Sequence, residues 1–496
     1  MEIKFQSNKI RSLSCCADRI LTQEQTQEVK LSDGMPDIGR VLGAWGRPVI
    51  RGKEWHNGSM SVNGGIMASV LYLQEEDPDP RVVQTWIPFQ MKWEFPATRH
   101  DGYVYAIPTL KSIDARSTSA RKLMVRANLS LWGRAMVPEE TEVYDAREVP
   151  QDVQVLRAEY PTELPVECGE VQVHVEEEVD LAAISPLPEK ILRHDFAPFL
   201  TEQRVMASRL VFRGKGNLHL VYLSDGKVFS RDVELNFSQF ADLDGEFSQA
   251  AAAQTIPLIT NLEVEHSDGK LQLKCDMAAQ YMIFDRVMVA LTEDAYSNER
   301  AVTLQNDQLS LDRLLERKQQ PVSMEKSWNL DADRIADVSI SHDFPVCDQA
   351  DEAALLIPGQ ITVLYYDMDE RLQSSGNRFE EKLPFSSAED VRLGAVAWQT
   401  EPESVMFNPN QAQISWDAVL DGQVFMKDGL WMVTGMELGD KLPKEEPAPS
   451  LILRRYTDAR LWDTAKACRS TVGSILQANG LEEEPEKGRM ILIPVS

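Results

Sequence analysis

The sequence predicts a mainly β protein, made of tandem β-sandwich- or barrel-like modules and closed by a small α+β module of order strand–helix–helix–strand. Three observations carry this. Apolar and polar residues alternate with a period of 2 in three separate stretches, as expected for strands with one buried face. A set of short motifs returns at spacings of 150 and 143 residues. The last 46 residues follow a proline-broken stretch and switch to helical periodicity between two apolar strands.

Length and charge set the frame. The chain has 496 residues, room for about three or four domains, because one core rarely grows past about 250–300 residues. Asp and Glu number 78 against 51 Lys and Arg, a net charge of −27. Such a polyanion repels nucleic acid and anionic lipid, so no nucleic-acid partner is expected. No run of about 18 apolar residues is present, so no membrane insertion is expected. Met1–Cys16 lacks the apolar core and small-residue cleavage site of a signal peptide. The six cysteines include no CxxC pair. Together these place the chain in the cytoplasm.

The repeat is clearest in apolar strands ending in tyrosine. Ile66–Leu73, Leu218–Leu223 and Ile361–Tyr366 follow Gly65, Gly216 and Gly359 and carry Tyr72, Tyr222 and Tyr365. Each is followed by polar turn residues and an apolar stretch ending in Phe89, Phe237 or Phe385. A period this long predicts tandem domains, since solenoid repeats run to about 20–50 residues. A later strand recurs too. Leu123, Val125, Ala127, Leu129 and Leu131 alternate with polar residues, as do Leu271, Leu273, Cys275 and Met277, and Ala412, Ile414, Trp416 and Ala418. Lead-ins Gly34–Ile38, Pro188–Leu192 and Asp331–Ile335 precede the units, and His194-Asp195-Phe196 and His342-Asp343-Phe344 occupy similar places before two of them. Val171, Val173 and Val175 mark a further strand that completes a unit. Ser310–Lys318, with Leu311, Leu314 and Leu315 on one face and Ser310 as cap, predicts a helix. The chain thus divides into an N-terminal segment 1–30, β-modules 31–180, 181–305 and 306–437, a Pro-rich linker 438–450, and a terminal module 451–496.

In that terminal module Leu451–Leu453 reads as a strand, and Leu461, Ala465 and Cys468 form one helix face. Thr471 caps a second helix bearing Val472, Ile475 and Leu476, which Asn479-Gly480 ends. Met490–Ile493 is a strand stopped by Pro494. The segment is close to neutral, with seven basic residues (Arg454, Arg455, Arg460, Lys466, Arg469, Lys487, Arg489) against six acidic ones (Asp458, Asp463, Glu482, Glu483, Glu484, Glu486). That balance suits docking on an acidic partner surface.

Leu461-Trp462-Asp463-Thr464-Ala465-Lys466, with Thr471, Leu476, Asn479, Leu481, Gly488 and Ile491–Pro494, resembles a LysM module. The resemblance implies a groove for N-acetylated glycans, walled by Thr457, Asp458, Ala459 and Arg460 on one side and Asn479, Gly480 and Leu481 on the other. The family's Gly-Asp-Thr before the Leu-Trp pair is replaced here by Asp458-Ala459-Arg460. The repeated body, with its Pro-Asp-Ile lead-in, Leu-Tyr strand, Pro-Phe strand and late alternating strand, resembles tandem SPOCS domains. Body and tail together resemble spore-coat assembly proteins of the SipL type. That resemblance implies a morphogenetic scaffold in the mother-cell cytoplasm, at the forespore surface. Its partner would be the ATPase that forms the coat basement layer, with peptidoglycan as the alternative ligand.

No residue set in the chain predicts catalysis, a cofactor or a metal. Adjacent His and Asp on a strand point to opposite faces, so the two His-Asp pairs read as structural. Asp242–Glu246 lacks the glycine position and the twelfth-position glutamate of a calcium loop. Cys15-Cys16 has no second Cys pair or nearby His and reads as two thiols. No phosphate-binding or nucleophile-elbow glycine motif is present. Trp462 reads as core packing, with stacking on a sugar ring as the other option.

Overall fold

The computed structural model of the chain describes residues 2–495 apart from 57, 76–78, 96–101, 268, 348–353, 385–390, 394–396, 409, 427–428, 444–449 and 458–459. The protein is mainly β. A short strand β1 (Glu2–Lys4) precedes the first unit, which runs β2 (Gln6–Lys30), β3 (Arg40–His56), β4 (Ser59–Leu73), β5 (Arg81–Glu94), β6 (Tyr103–Ser119) and β7 (Lys122–Asp145). The second runs β8 (Val153–Asp180), β9 (Lys190–Met206), β10 (Arg209–Ser224), β11 (Lys227–Asp242), β12 (Ala252–Ser267) and β13 (Lys270–Ser297), followed by β14 (Arg300–Leu309). The third contains β15 (Leu314–Leu330), β16 (Arg334–His342), the short β17 (Val346–Cys347), β18 (Ala354–Tyr366), β19 (Leu372–Pro384), the short β20 (Val391–Leu393), β21 (Ala397–Asn408) and β22 (Asn410–Met426). Strand β23 (Leu430–Lys441) follows it and pairs with β1 and β14 in a separate sheet.

One strand order appears three times. In each unit the second, third and fourth long strands form an antiparallel meander: β3-β4-β5, β9-β10-β11 and β16-β18-β19. The first, last and penultimate strands pair in the orders β2-β7-β6, β8-β13-β12 and β15-β22-β21, the last two joined into one seven-stranded sheet where Glu163 of β8 meets Leu314 of β15. In each unit these two sets of strands contribute to one apolar cluster. The alternating stretches lie in β7, β13 and β22, and every apolar residue named in them is at most 2% exposed. A one-residue slip would turn all of these to water, which fixes the register.

The repeated tyrosines are equivalent in space. Tyr72, Tyr222 and Tyr365 stand opposite Val41, Ile191 and Ile335 in the lead-in strands. Immediately after those partners each lead-in strand carries one extra residue, Leu42, Leu192 or Ala336, as a bulge. The bulged residues of the three units, with Leu71, Val221 and Leu364, meet in one buried apolar cluster. A bulge turns a side chain that would face its own unit toward its neighbours, so the same local irregularity, used three times, builds the contact between units.

The repeated glycines have a steric reason. Gly64, Gly214 and Gly359 stand directly across from Phe89, Phe237 and Phe379. In each pair the ring lies over the glycine, where a Cβ would overlap it. Gly65 and Gly216 are neighbours of these positions rather than members of the set, although Cβ atoms there would overlap Trp86 and Phe196. In the third unit the ring comes from Phe379, and Phe385 lies outside the described residues.

Several sequence expectations are corrected. Residues 1–30 are not a separate segment, because β2 pairs along its length with β7. The strand containing Val171, Val173 and Val175 does not complete the first unit. It is β8, which opens the second by pairing with β13 from Asp180 to Val153. Residues 31–180 therefore divide near 150, and the units are grouped as 6–145, 153–297 and 314–426 by their pairing. Ser310–Lys318 is not a helix. Its leucines serve an irregular turn and the start of β15, whose partner β22 supplies hydrogen bonds that outcompete a short local helix. Residues 438–441 belong to β23, not to the linker, and 444–449 lie outside the described residues. The two His-Asp-Phe triplets are not equivalent: His194 stands opposite Leu220, two before Tyr222, whereas His342 stands opposite Gly359, six before Tyr365.

The units are tied to one another by buried charge. The Arg193 guanidinium of the second donates to Asp337 of the third at 2.6 Å, and His219 Nε2 lies 2.7 Å from the other oxygen of that carboxylate. Asp337 has no exposed side-chain surface. Arg47 of the first pairs with Asp195 of the second, with one N–O distance of 2.8 Å. Gln280 on β13 acts as a strand substitute, accepting from the Ala106 N–H at 3.1 Å and donating to the Ala106 carbonyl at 2.7 Å. It satisfies part of the edge of β6 that a sheet would otherwise leave open.

The tail has strand β24 (Leu451–Arg455), helix α1 (Leu461–Ala467), helix α2 (Val472–Asn479) and strand β25 (Met490–Pro494), with β24 and β25 antiparallel. Thr471 Oγ1 caps α2 by accepting from the Ser474 N–H at 3.0 Å, and Gly480 ends it in the left-handed region at φ 59°. Leu461, Ala465, Ile475, Ile491 and Ile493 form its buried centre.

Candidate functional site

Two places could carry function: a cleft between the three units and the surface of the tail. The cleft holds about 920 Å³ and is lined among others by Trp45, Trp86, Arg47, Asp195, Ile340 and Asp343. Several of its charged groups pair with groups on another unit. Asp195 holds Arg47, and Asp343 accepts from Thr109 and lies 3.4 Å from Lys111 of the first unit. His342 accepts from the Trp416 indole at 3.1 Å, and burial pushes its imidazole down to about 3, so it stays neutral. Burial also lowers His194. None of these pairs joins a His to its neighbouring Asp. Arg47–Asp195 and the contacts of Asp343 with Thr109 and Lys111 tie units together, His342–Trp416 lies within the third, and no nucleophile–base pair faces the cleft among the described residues. The acidic turn at Asp242–Glu246 is likewise structural, since Glu167 accepts from the Asp244 and Gly245 N–H groups.

The tail rests on the second unit through α1. The Trp462 indole donates to Asp294 at 2.7 Å, and Lys466 reaches the same carboxylate at 2.7 Å. Arg460 pairs with Glu293 at 3.1 Å. The Tyr296 ring meets Trp462 edge-on with centroids 4.8 Å apart, and its hydroxyl donates to the Ser470 carbonyl at 2.8 Å. Burial, with Asp294 nearby, pushes the Tyr296 hydroxyl up to about 12. Trp462 is 7% exposed, so it packs as core and as interface together and offers no open ring to a sugar.

The seven groove positions meet different fates. Arg460 is turned to the body. Asn479 is spent inside the tail: its amide donates to the Ile475 and Leu492 carbonyls at 2.7 Å each, and its oxygen accepts from the Leu492 N–H at 2.8 Å. It thereby locks the end of α2 to β25. Gly480 is the helix stop, and the Leu481 N–H closes it by donating to the Leu476 carbonyl at 3.0 Å. Thr457 is exposed, and Asp458 and Ala459 lie outside the described residues. Among the five described positions, Arg460, Asn479 and the Gly480-Leu481 stop are engaged within the protein, and Thr457 is exposed.

A surface that the sequence reading passed over stands elsewhere on the tail. Residues alternating along β24 and β25 face away from the tail's centre in cross-strand pairs: Leu451 with Pro494, Leu453 with Leu492, and Arg455 with Met490. Leu451, Leu453 and Met490 are 50%, 61% and 48% exposed. The signal was present in Leu451-Ile452-Leu453, which is apolar on both faces of a strand in a module too thin to cover both. No family model, no curated protein and no solved structure matches the chain.

Proposed function

We propose that the protein is a non-enzymatic scaffold of spore-coat assembly, and that its tail docks on the coat-basement ATPase. The resemblance of body and tail to SPOCS and LysM modules motivates the biological setting. One observation carries the docking role: α1 clamps the tail to the second unit through Asp294, Glu293 and Tyr296, while its two-stranded sheet faces outward with its leucines exposed. A clamped module presents that face in a fixed orientation, so less order is lost on binding. The three units, tied through Arg193–Asp337 and Arg47–Asp195, supply a stiff body on which to present it. No helix among the described residues is long and apolar enough to cross a membrane, and the proposed place of work is the mother-cell cytoplasm at the forespore surface. The alternative, peptidoglycan binding through the tail, is less favoured because Asn479 and Arg460 are already committed. Capture of the purified ATPase by the full chain and by a chain ending at 442 tests the proposal. Recovery is expected from the full chain only, and equal recovery would remove the tail from the docking role. Retention of the full chain on purified peptidoglycan would favour the alternative.

A further inference from the structure

The outward face of the tail is a strip of six apolar and cationic side chains in three cross-strand pairs, from Leu451 and Pro494 through Leu453 and Leu492 to Arg455 and Met490. Arg454 is exposed but pairs with Ile491 and so belongs to the other face of the strand, Arg489 precedes Met490 at the strip's basic end, and among the described residues no ion pair joins these three arginines to a carboxylate. On a chain of net charge −27, an apolar strip ending in uncompensated cations is a local reversal of the surrounding field. We propose that this face binds an extended acidic segment of a partner protein, whose apolar side chains cover the leucines while its carboxylates reach Arg455 at the strip's basic end.

The match is geometric as well as electrostatic. An extended segment repeats its side chains every two residues, the same spacing that sets Leu451, Leu453 and Arg455 on one face. Apolar residues of such a segment would fall over Leu451 and Leu453, and a carboxylate at the next position would fall over Arg455. A second copy of this chain fits poorly. A twofold contact would lay Arg455 either on its own counterpart or on Leu451 and Pro494, and both bury a cation without a carboxylate. An anionic membrane is disfavoured because its charge would extend along the acidic body as well, whereas a short segment meets only the strip. The inference rests on the docking proposal for the tail and specifies its surface and the partner's chemistry.

The test uses the full chain. A labelled peptide of about eight residues, Ser-Val-Ser-Val-Ser-Glu-Ser-Glu, which sets Val and then Glu on one face, is the probe, with the counterpart carrying Lys for Glu (the Lys–Val peptide) and phosphatidylserine vesicles as competitors for the assignment. Leu453→Asp is the main variant, and Arg455→Glu is the second. Both residues are exposed, so the fold is retained and circular dichroism verifies it. Wild type is expected to bind the acidic peptide, with affinity falling as salt rises and falling at least about tenfold in both variants. Unchanged binding by Leu453→Asp, no binding of the acidic peptide, preference for the Lys–Val peptide, vesicle binding through the strip, or a dimer that Leu453→Asp dissolves would each overturn the inference. The ATPase separates this from the reading beneath it. If Leu453→Asp captures the ATPase as wild type does, while removal of 451–496 abolishes capture, the strip is wrong and tail docking stands. If wild type captures none, docking on that ATPase falls, and the peptide result still decides the strip.

Discussion

Replacing Asp337 by alanine should be among the most damaging single changes in the body. Its carboxylate has no exposed surface and is shared by Arg193, 9% exposed, and His219, 20% exposed. Burial alone would lower His219, yet the charge of Asp337 and hydrogen bonds to Asp232 and Asp337 raise it to about 9. Moving from the ordinary value near 6.5 to about 9 corresponds to roughly 3 kcal/mol, at about 1.4 kcal/mol per pH unit. Breaking a buried pair by removing one partner costs about 3–5 kcal/mol, because the other charge stays buried. Part of the His219 shift belongs to Asp232, and the two figures are of the same order. With a urea slope of about 2–3 kcal/mol/M, the unfolding midpoint of Asp337→Ala should fall by about 1–2 M at pH 7. A fall below about 0.3 M would refute the claim that this trio ties the second unit to the third. The triple replacement Arg193→Met, His219→Leu and Asp337→Leu should recover most of the loss, since apolar side chains carry no desolvation cost.

Other outcomes follow from the same geometry. His219 has a raised folded value, so its contribution is complete below pH about 6.5 and is lost as pH rises through about 9. Asp337 is held well below the usual carboxylate range: burial would raise it, but Arg193 and His219 outweigh that. Its contribution is therefore present above pH about 4 and is lost only in stronger acid. Urea midpoints should decline between pH 6.5 and 9 in wild type and much less in Asp337→Asn. Gly359→Ala should cost about 1–3 kcal/mol, because the new Cβ meets the Phe379 ring and the Ser341 carbonyl oxygen; an unchanged thermal midpoint would contradict this. Asp294→Ala removes the acceptor of both Trp462 and Lys466. After proteolytic cleavage between 443 and 450, gel filtration should separate its tail from a body that the wild-type tail accompanies. Asn479→Ala loses three hydrogen bonds in the tail and should destabilise it by about 1–3 kcal/mol, read from amide exchange in β25.

The strand positions were legible because burial has a period. Leu123–Leu131, Leu271–Met277 and Ala412–Ala418 could be assigned to strands, and their inward faces named, from alternation alone. The three tyrosines gave the repeat and its register. The tail's elements were legible from local chemistry, since Thr471 and Gly480 act on groups a few residues away. Ser310–Lys318 failed for the converse reason: a helix-like spacing of three leucines over nine residues is too short to hold a helix against a long partner strand. The groove at Thr457–Arg460 and Asn479–Leu481 was taken from a resemblance, and contacts made by Arg460 and Asn479 lie outside what the motif describes.

By itself the sequence determined that the chain is β-rich, that one set of motifs recurs three times, and that the end is a separate strand–helix–helix–strand piece. Each of these rests on interactions between near neighbours, or on a period that any single strand displays. Only the tertiary structure decided which strand opens which unit, since β8 and β13 lie about 100 residues apart and pairing between distant strands leaves no local mark. It also decided that Arg193, His219 and Asp337 form one buried cluster, and that Trp462 turns to Asp294 while Leu451, Leu453 and Met490 turn to water. A charge or a leucine carries no sign of its partner in the chain around it. Its partner is set by which surfaces the packed units bring together.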